Sequence, residues 1–271
     1  MGGMRSFFRC LPLFAVLLPG LLAAGDNPVT EKEFEAAAAG RDAAFVIVDG
    51  ATGNREIFNA ALAKTPLPPC STFKIWNTLI GLEAGILNSA DEPFYKWDGK
   101  ERFLPAWNRD LTLREAFQAS CVPAFQALAR KIGSERMQAG LDRFGIGDRN
   151  VSAGIEVFWL PAPGRKTLLI TPVQQADLMR LLAMGRVPAS EHSLAVLKDI
   201  MEVRETPAGT LYGKTGSSAD GKGVFNMGWF VGYAECGSRK YGFSMVVRGE
   251  GLSGKDARAM VEKMLEASGL L

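Results

Sequence analysis

The sequence is poor in histidine: His192 is the only one in 271 residues. A catalytic triad of serine, histidine and aspartate would have to use it. His192 lies in "ASEHSLAVLKDI", a polar stretch typical of the start of a helix. We interpret it as a surface residue. Any serine nucleophile in this chain is therefore expected to use a base other than histidine.

Cysteine is also scarce, and no charge of one sign dominates. The four cysteines form neither a C-x-x-C motif nor a cluster with histidine, so no metal site is predicted. The net charge is +2 and the chain has no basic run, so nucleic acid is not an expected partner. Composition thus favours a globular protein and argues against a metal- or nucleic-acid-binding function.

Long apolar runs are absent except at the N-terminus. There, Arg5 and Arg9 precede an apolar stretch that ends in Ala23-Ala24-Gly25. This pattern predicts a secretory signal peptide over residues 1–24. A membrane anchor is the alternative, but the run is short and contains Pro19 and Gly20. We expect a secreted, periplasmic protein with no membrane attachment after cleavage, formed by a single domain over residues 25–271.

The mature domain has strand patterns at both ends and helical patterns between them. This order predicts the α/β (α+β) class, with a central antiparallel sheet built from both termini and an inserted helical region at about 65–190. The predicted strands lie at 44–50, 55–60, 209–216, 228–235 and 241–248, and a last helix lies at about 255–267.

A serine and a lysine stand three residues apart in "PPCSTFKIW", as Ser71 and Lys74. At this spacing on a helix the two side chains meet. A lysine with its ordinary pKa near 10.4 cannot accept a proton at neutral pH, but burial lowers that pKa. Two bases are then open: the neutral amine, or the anionic carbamate that it forms with carbon dioxide. Ser71 also lies near a helix start, where a free N–H can help to hold an oxyanion.

Two further motifs follow later in the sequence. "SCVP" places Ser120 and Val122 at a helix junction, and "KTG" places Lys214, Thr215 and Gly216 on a strand shortly before "GWFVG". Each motif alone is common in proteins without catalytic function. Their combination, two on helices and then one on a strand, indicates a serine enzyme that uses lysine.

With these motifs the sequence resembles the serine β-lactamases and penicillin-binding proteins, and among them the class D, oxacillinase-type β-lactamases. "STFK" matches their nucleophile motif, and "SCV" carries valine where class A enzymes carry asparagine. "FWL" at 158–160 matches their tryptophan-leucine pair, and "YGKTG" and "GWFVG" follow at suitable spacing. The segment 107–133 is also similar along its length. The likeness covers nearly the whole mature chain.

The resemblance implies a role for each matching residue. Ser71 would attack the β-lactam carbonyl, Lys74 modified by carbon dioxide to N6-carboxylysine would be the general base, and Ser120 would pass a proton to the leaving nitrogen. No other cofactor and no metal is implied. The implied carbamate pocket is formed by Phe73, Val122, Trp159 and Leu160, and the implied substrate site by Lys214, Thr215, Gly216, Ser217 and Arg258.

One segment departs from the family pattern. Where the family usually carries Y-G-N, this chain reads Ile146-Gly147-Asp148. The retained glycine predicts that the turn survives, while the change puts substrate preference and turnover in question. The cysteines beside the two serines, Cys70 and Cys121, are interpreted as buried free thiols rather than a disulfide.

Two other functions stay open beside hydrolysis of penicillin-type β-lactams. One is a penicillin-binding D,D-peptidase, against which Val122, Trp159 and the lack of an anchor argue. The other is a sensor domain that binds β-lactams without turnover, which normally hangs from a membrane segment. The expected partner is a small β-lactam, and the protein is expected to be a monomer or a homodimer.

Overall fold

The computed structural model describes residues 28–271. The predicted signal peptide, residues 1–24, lies outside the described residues. Within residues 28–271, no helix combines the length and the apolar character needed to cross a membrane.

A six-stranded antiparallel sheet forms the centre of the described domain, in the order β2-β1-β8-β7-β6-β5. Strands from the two ends of the chain meet where β1 pairs with β8, with Phe45 opposite Met245. A separate two-stranded sheet pairs β3 with β4. The strands are β1 Asp42–Asp49, β2 Arg55–Phe58, β3 Pro93–Tyr95, β4 Leu111–Thr112, β5 Glu202–Glu205, β6 Thr210–Ala219, β7 Phe225–Cys236 and β8 Arg239–Arg248.

Helices cover both faces of the sheet. The first and last helices pack on one face, and α2 to α8 belong to the other side. The helices are α1 Glu31–Ala38, α2 Ala60–Ala63, α3 Lys74–Glu83, α4 Leu113–Gln118, α5 Val122–Ile132, α6 Ser134–Phe144, α7 Pro172–Ala183, α8 Glu191–Met201 and α9 Gly254–Ala267. Short 3-10 helices lie at Cys70–Phe73 and Pro105–Trp107.

The covering of both faces explains the nearly continuous apolar run of β1. Successive side chains of a strand point to opposite faces. Val46 and Val48 therefore enter the core beneath the helical region, while Phe45 and Ile47 enter the core beneath α1 and α9. A strand with water on one face would instead alternate apolar and polar residues.

The predicted fold class, with its sheet built from both termini and its inserted helical region, is confirmed. The hairpin of β1 and β2, the three long C-terminal strands and the last helix all lie where the pattern placed them. The helical region extends beyond residue 190, since α8 continues to Met201, and it contains the small sheet of β3 and β4. The short elements α1, α2, β3, β4 and β5 were not predicted from the sequence.

Candidate active site

Ser71 lies in the 3-10 helix Cys70–Phe73 that leads directly into α3. The preceding residue, Cys70, has a φ of 53°, so the chain turns sharply just before the serine. Ser71 is half-buried, whereas Lys74 is completely buried. Nζ of Lys74 donates a hydrogen bond to Oγ of Ser71 at 2.7 Å. The predicted meeting of these two side chains across one helical turn is confirmed.

The segment before the serine is fixed by hydrogen bonds from three parts of the chain. Trp229 Nε1 donates to the Pro68 carbonyl at 3.0 Å, and Thr72 Oγ1 donates to the Pro69 carbonyl at 2.7 Å. Gln175 Nε2, from α7, donates in turn to Thr72 Oγ1 at 3.0 Å. These bonds satisfy buried polar groups and hold Ser71 in one position.

The surroundings of Lys74 favour the neutral amine. Burial holds the pKa of Lys74 well below its ordinary value, and the positive charge of Lys214 lowers that pKa further. The neighbouring Cys121 and Cys70 act in the opposite direction. Nζ of Lys74 lies 5.5 Å from the centre of the Phe125 ring. A neutral amine at hydrogen-bonding distance from a serine hydroxyl is positioned as a base.

A second serine–lysine pair lies across the site. Ser120 lies between α4 and α5 with a φ of 54°, and its Oγ accepts a hydrogen bond from Lys214 Nζ at 3.1 Å. Lys214 is buried on β6 and also donates to the Thr215 carbonyl at 3.1 Å. Burial lowers the pKa of Lys214 to about 7. This lysine can therefore gain and lose a proton near neutral pH.

Gly216 allows β6 to come close to the segment that carries Ser71. A β-carbon at Gly216 would lie 3.0 Å from the Pro69 carbonyl oxygen and 3.1 Å from the Thr72 amide nitrogen. One residue further, Ser217 Oγ accepts a hydrogen bond from the Gly254 amide at 2.9 Å. The K-T-G strand is thus held between the serine helix and the start of α9.

Aromatic rings pack around Phe73, the residue before Lys74. Phe73 and Trp159 are fully buried with ring centres 5.6 Å apart, and Phe158 meets Phe73 edge-on at 4.9 Å. Among residues 28–271, the buried Nε1 of Trp159 has no hydrogen-bond partner. Val122 and Leu160 are half-buried. Of the four predicted pocket residues, Phe73 and Trp159 are therefore the ones that are completely buried.

Comparison with known proteins identifies the family. Residues 35–266 match the penicillin binding protein transpeptidase domain. The β-lactamase OXA-19 of Pseudomonas aeruginosa is 36% identical over 220 residues, which are 81% of this chain and 80% of that protein. A solved class D β-lactamase from Bacillus subtilis aligns with a TM-score of 0.82 at 31% identity, covering 93% of this chain and 99% of that one.

The chain belongs to the class D β-lactamases. The resemblance inferred from the sequence motifs is thereby confirmed. The regulatory protein BlaR1 of Bacillus licheniformis is also similar, at 27% identity over 227 residues, which are 83% of this chain and 37% of that protein.

Residues 146–148, the segment expected to depart from the family pattern, form an ordered turn. Ile146 is buried, and Gly147 has a φ of 55°. A β-carbon at Gly147 would lie only 2.4 Å from the Leu169 carbonyl oxygen, so no other residue fits without movement. Asp148 Oδ1 accepts hydrogen bonds from the amides of Asn150 and Leu169, each at 3.1 Å. Asp148 therefore links Asn150 with Leu169, which lie on either side of Trp159 in the sequence.

The remaining predicted residues lie in various surroundings. Arg258 lies on α9, where its Nε donates to Glu262 at 2.8 Å. His192 is exposed, as the sequence indicated, and its Nε2 lies 2.7 Å from the Asn88 carbonyl oxygen. Cys70 and Cys121 are both buried free thiols, which confirms that interpretation.

Sequence reasoning missed several residues that shape the site. Phe117 and Phe125 lie beneath the two lysine ammonium positions, and Gln175 supports the serine segment from α7. The apolar periodicity of α5 places Phe125 on a buried face, but nothing in the pattern connects it with Lys74. Asn77, on α3, is fully buried and was not considered either.

Proposed function

We propose that this protein hydrolyses the amide bond of penicillin-type β-lactams through an acyl-enzyme on Ser71. The observation that carries the proposal is the 2.7 Å hydrogen bond between Ser71 Oγ and Nζ of the fully buried Lys74, in a chain of the class D β-lactamase family. The relatives OXA-19 and the Bacillus subtilis protein are themselves named β-lactamases.

Acylation begins when Ser71 Oγ attacks the lactam carbonyl carbon and gives up its proton. Lys74 is suited to take that proton, because burial favours its neutral amine, which is also the form that carbon dioxide converts to the proposed carbamate base. The Ser71 and Ser217 amide groups are the proposed oxyanion donors. The contact of β6 with the serine segment at Gly216 brings these two stretches of backbone together.

Carbon dioxide is the proposed modifier of Lys74. The donor set fits a carbamate, because the buried Nε1 of Trp159 has no partner in the described part of the chain and the neutral amine is the form that adds carbon dioxide. Trp159 would hold the group within the wall formed by Phe73, Val122 and Leu160. The modification would supply an anionic base beside Ser71, able to serve both acylation and the later activation of water.

Ser120 and Lys214 are the proposed route for the proton that the leaving nitrogen needs. The pKa of Lys214, lowered to about 7, lets this lysine hold a proton at mildly acidic pH and release it at mildly basic pH. The 3.1 Å hydrogen bond to Ser120 Oγ gives that proton a direct path. Thr215, Gly216, Ser217 and Arg258 are the proposed contacts of the substrate and its carboxylate.

A sensor domain that is acylated without turnover is the second candidate. The similarity to the regulatory protein BlaR1 and the altered segment 146–148 favour it. Export by residues 1–24 to the periplasm is proposed with either function. Cell fractionation of the full chain, compared with a chain lacking those residues, tests the export.

The test of function is hydrolysis of a chromogenic cephalosporin by the protein without residues 1–24, with and without bicarbonate. The time course runs past one enzyme equivalent, and Ser71→Ala is the control. Sustained turnover that rises with bicarbonate is the expected result. A burst of about one equivalent followed by a stop would favour the sensor. Absence of both burst and turnover would contradict either function.

A further inference from the structure

Asn77 lies one turn beyond Lys74 on α3 and is completely buried. Neither its Nδ2 nor its Oδ1 has a hydrogen-bond partner among residues 28–271. A buried amide left without partners destabilises a fold, whereas an apolar side chain of similar size would not. An asparagine at this position therefore calls for a polar occupant next to it.

The direction of helical side chains places this amide near Lys74. Side chains on a helix point back towards its N-terminus and lie over the residues three and four positions earlier. For Asn77 these residues are Lys74 and Phe73. The Lys74 side chain itself follows the rule, since it reaches back to Ser71.

Trp159 supplies a second unpartnered group in the same neighbourhood. Its ring stacks on Phe73 with 5.6 Å between ring centres, and its Nε1 is buried without a partner in the described chain. Among residues 28–271, the other buried side-chain atoms left without partners are the lone hydroxyl groups of Tyr95, Tyr241 and Ser244. Two unsatisfied groups, an indole N–H and a whole amide, thus adjoin the Phe73–Lys74 stretch.

We propose that Asn77 is a positioning residue for the carbamate of Lys74 and sets the affinity of the protein for carbon dioxide. Its Nδ2 donates to a carbamate oxygen, and its Oδ1 accepts the N–H that the modified nitrogen keeps. The inference rests on the carbamate in the proposed function. It extends that function to a residue outside the sequence motifs.

The chemistry of the modification shows why a second donor matters. The neutral amine of Lys74 attacks carbon dioxide and forms a nitrogen–carbon bond. The electron pair of one C=O π bond moves to its oxygen, and one N–H proton passes from the nitrogen to water or buffer base. The product is an anion in an apolar site, and it is stable there only if hydrogen-bond donors replace water. Trp159 offers one N–H. The Asn77 amide offers another, together with an acceptor that matches the remaining N–H.

The test measures carbamate directly by ¹³C NMR during titration with ¹³C-labelled bicarbonate. Asn77→Leu removes the amide, and Asn77→Asp replaces it with a carboxyl group of the same shape. Tyr241→Phe is the matched control, because it removes another buried unpartnered polar atom, located in the core on the opposite face of the sheet. Wild-type protein and Tyr241→Phe should give half of the full signal at the same bicarbonate concentration.

Asn77→Leu should need about ten to a hundred times more bicarbonate for half of the signal, because a hydrogen bond to a charged group is lost. Asn77→Asp should need still more, because a second anion would lie beside the carbamate. In buffer free of bicarbonate, Asn77→Leu should melt at the wild-type temperature or above it, since an unsatisfied amide has been removed.

Two results would overturn the inference while leaving the proposed function intact. One is that the wild type, Asn77→Leu and Asn77→Asp all reach half of the full carbamate signal at the same bicarbonate concentration. The other is lower melting temperatures for both variants in bicarbonate-free buffer with unchanged labelling, which would assign Asn77 to the fold alone. A wild-type protein that takes up no label would overturn the carbamate and this inference together, while hydrolysis of the cephalosporin would still be measurable.

Discussion

The site contains two serine–lysine pairs that are alike in their chemistry and different in their origin. Ser71 and Lys74 meet at 2.7 Å, and Ser120 and Lys214 meet at 3.1 Å. Both lysines are buried. Nζ of Lys74 lies 5.5 Å from the centre of the Phe125 ring, and Nζ of Lys214 lies 5.6 Å from the centre of the Phe117 ring. The first pair is separated by 3 residues on one helical turn, and the second by 94 residues.

The two lysines nevertheless differ in the forces acting on them. Burial alone lowers the pKa of Lys214, to about 7, whereas Lys74 experiences both burial and the positive charge of Lys214. A proton on Lys214 therefore favours a neutral Lys74. In the proposed mechanism this coupling separates their tasks: Lys74 accepts a proton from Ser71, while Lys214 delivers one through Ser120.

The largest expected effect comes from breaking the pair Ser71–Lys74, whose members are close together in the sequence. Ser71→Ala should lower kcat/KM for a β-lactam by roughly four orders of magnitude or more, because the nucleophile is lost. Intact-protein mass spectrometry should show no covalent adduct. The exposed serine that begins α6 offers a control, and Ser134→Ala should keep wild-type activity. A covalent adduct on Ser71→Ala would place the nucleophile elsewhere.

Breaking the pair Ser120–Lys214, whose members are far apart in the sequence, should have a smaller effect. Ser120→Ala removes a proton carrier while leaving the nucleophile and its base in place, so kcat should fall about a hundred- to a thousandfold. Adduct formation with a slowly hydrolysed β-lactam should still be detectable, although slower. A loss of adduct as complete as that of Ser71→Ala would mean that the two pairs do not have separate tasks.

The same contrast explains what the sequence could predict. The spacing of Ser71 and Lys74 alone predicted their contact, because the helix fixes it. The contact of Ser120 with Lys214 depends on how β6 and the α4–α5 junction are brought together. It was not predicted from the sequence, because the family resemblance implied only a separate role for each residue. The half-burial of Val122 and Leu160 could not be predicted from the sequence, because the exposure of a side chain depends on the whole fold. The unsatisfied amide of Asn77 has no sequence signature at all.

The pH dependence of stability tests the burial of Lys214. In the folded protein its pKa is about 7, whereas in the unfolded chain a lysine stays protonated up to about 10.4. The buried charge of Lys214 therefore lowers the free energy of unfolding most below pH 7, and this loss becomes smaller as the pH rises towards 10. Lys214→Met should exceed the wild type in free energy of unfolding by a few kcal/mol below pH 7, and by less as pH rises.

Urea unfolding between pH 6 and pH 9.5 measures this difference. Lys222→Met, at an exposed lysine in the turn between β6 and β7, is the matched control. A difference between Lys214→Met and wild type that stays constant with pH would show that the lysine is solvated and protonated throughout. Such a result would contradict the proposed separation of tasks between Lys74 and Lys214, which depends on the lowered pKa of Lys214.

The smallest expected effects come from the residues that support each pair. Thr72→Val removes a donor to the Pro69 carbonyl and leaves the buried Gln175 amide without its acceptor, so the free energy of unfolding should fall by about 1–3 kcal/mol. Trp107→Phe removes one half-buried hydrogen bond, from Nε1 to the Ala119 carbonyl at 2.9 Å beside Ser120. It should lower the free energy of unfolding by about 1 kcal/mol or less.

Chemical denaturation of both variants gives these values, and adduct kinetics show which pair each change disturbs. Thr72→Val should slow acylation, because the segment that carries Ser71 loses its anchor. Trp107→Phe should affect mainly the steps that need Ser120. Equal losses of stability with equal slowing of acylation would mean that the site behaves as one packed unit. The pair Ser71–Lys74 and the pair Ser120–Lys214 would then not act independently of each other.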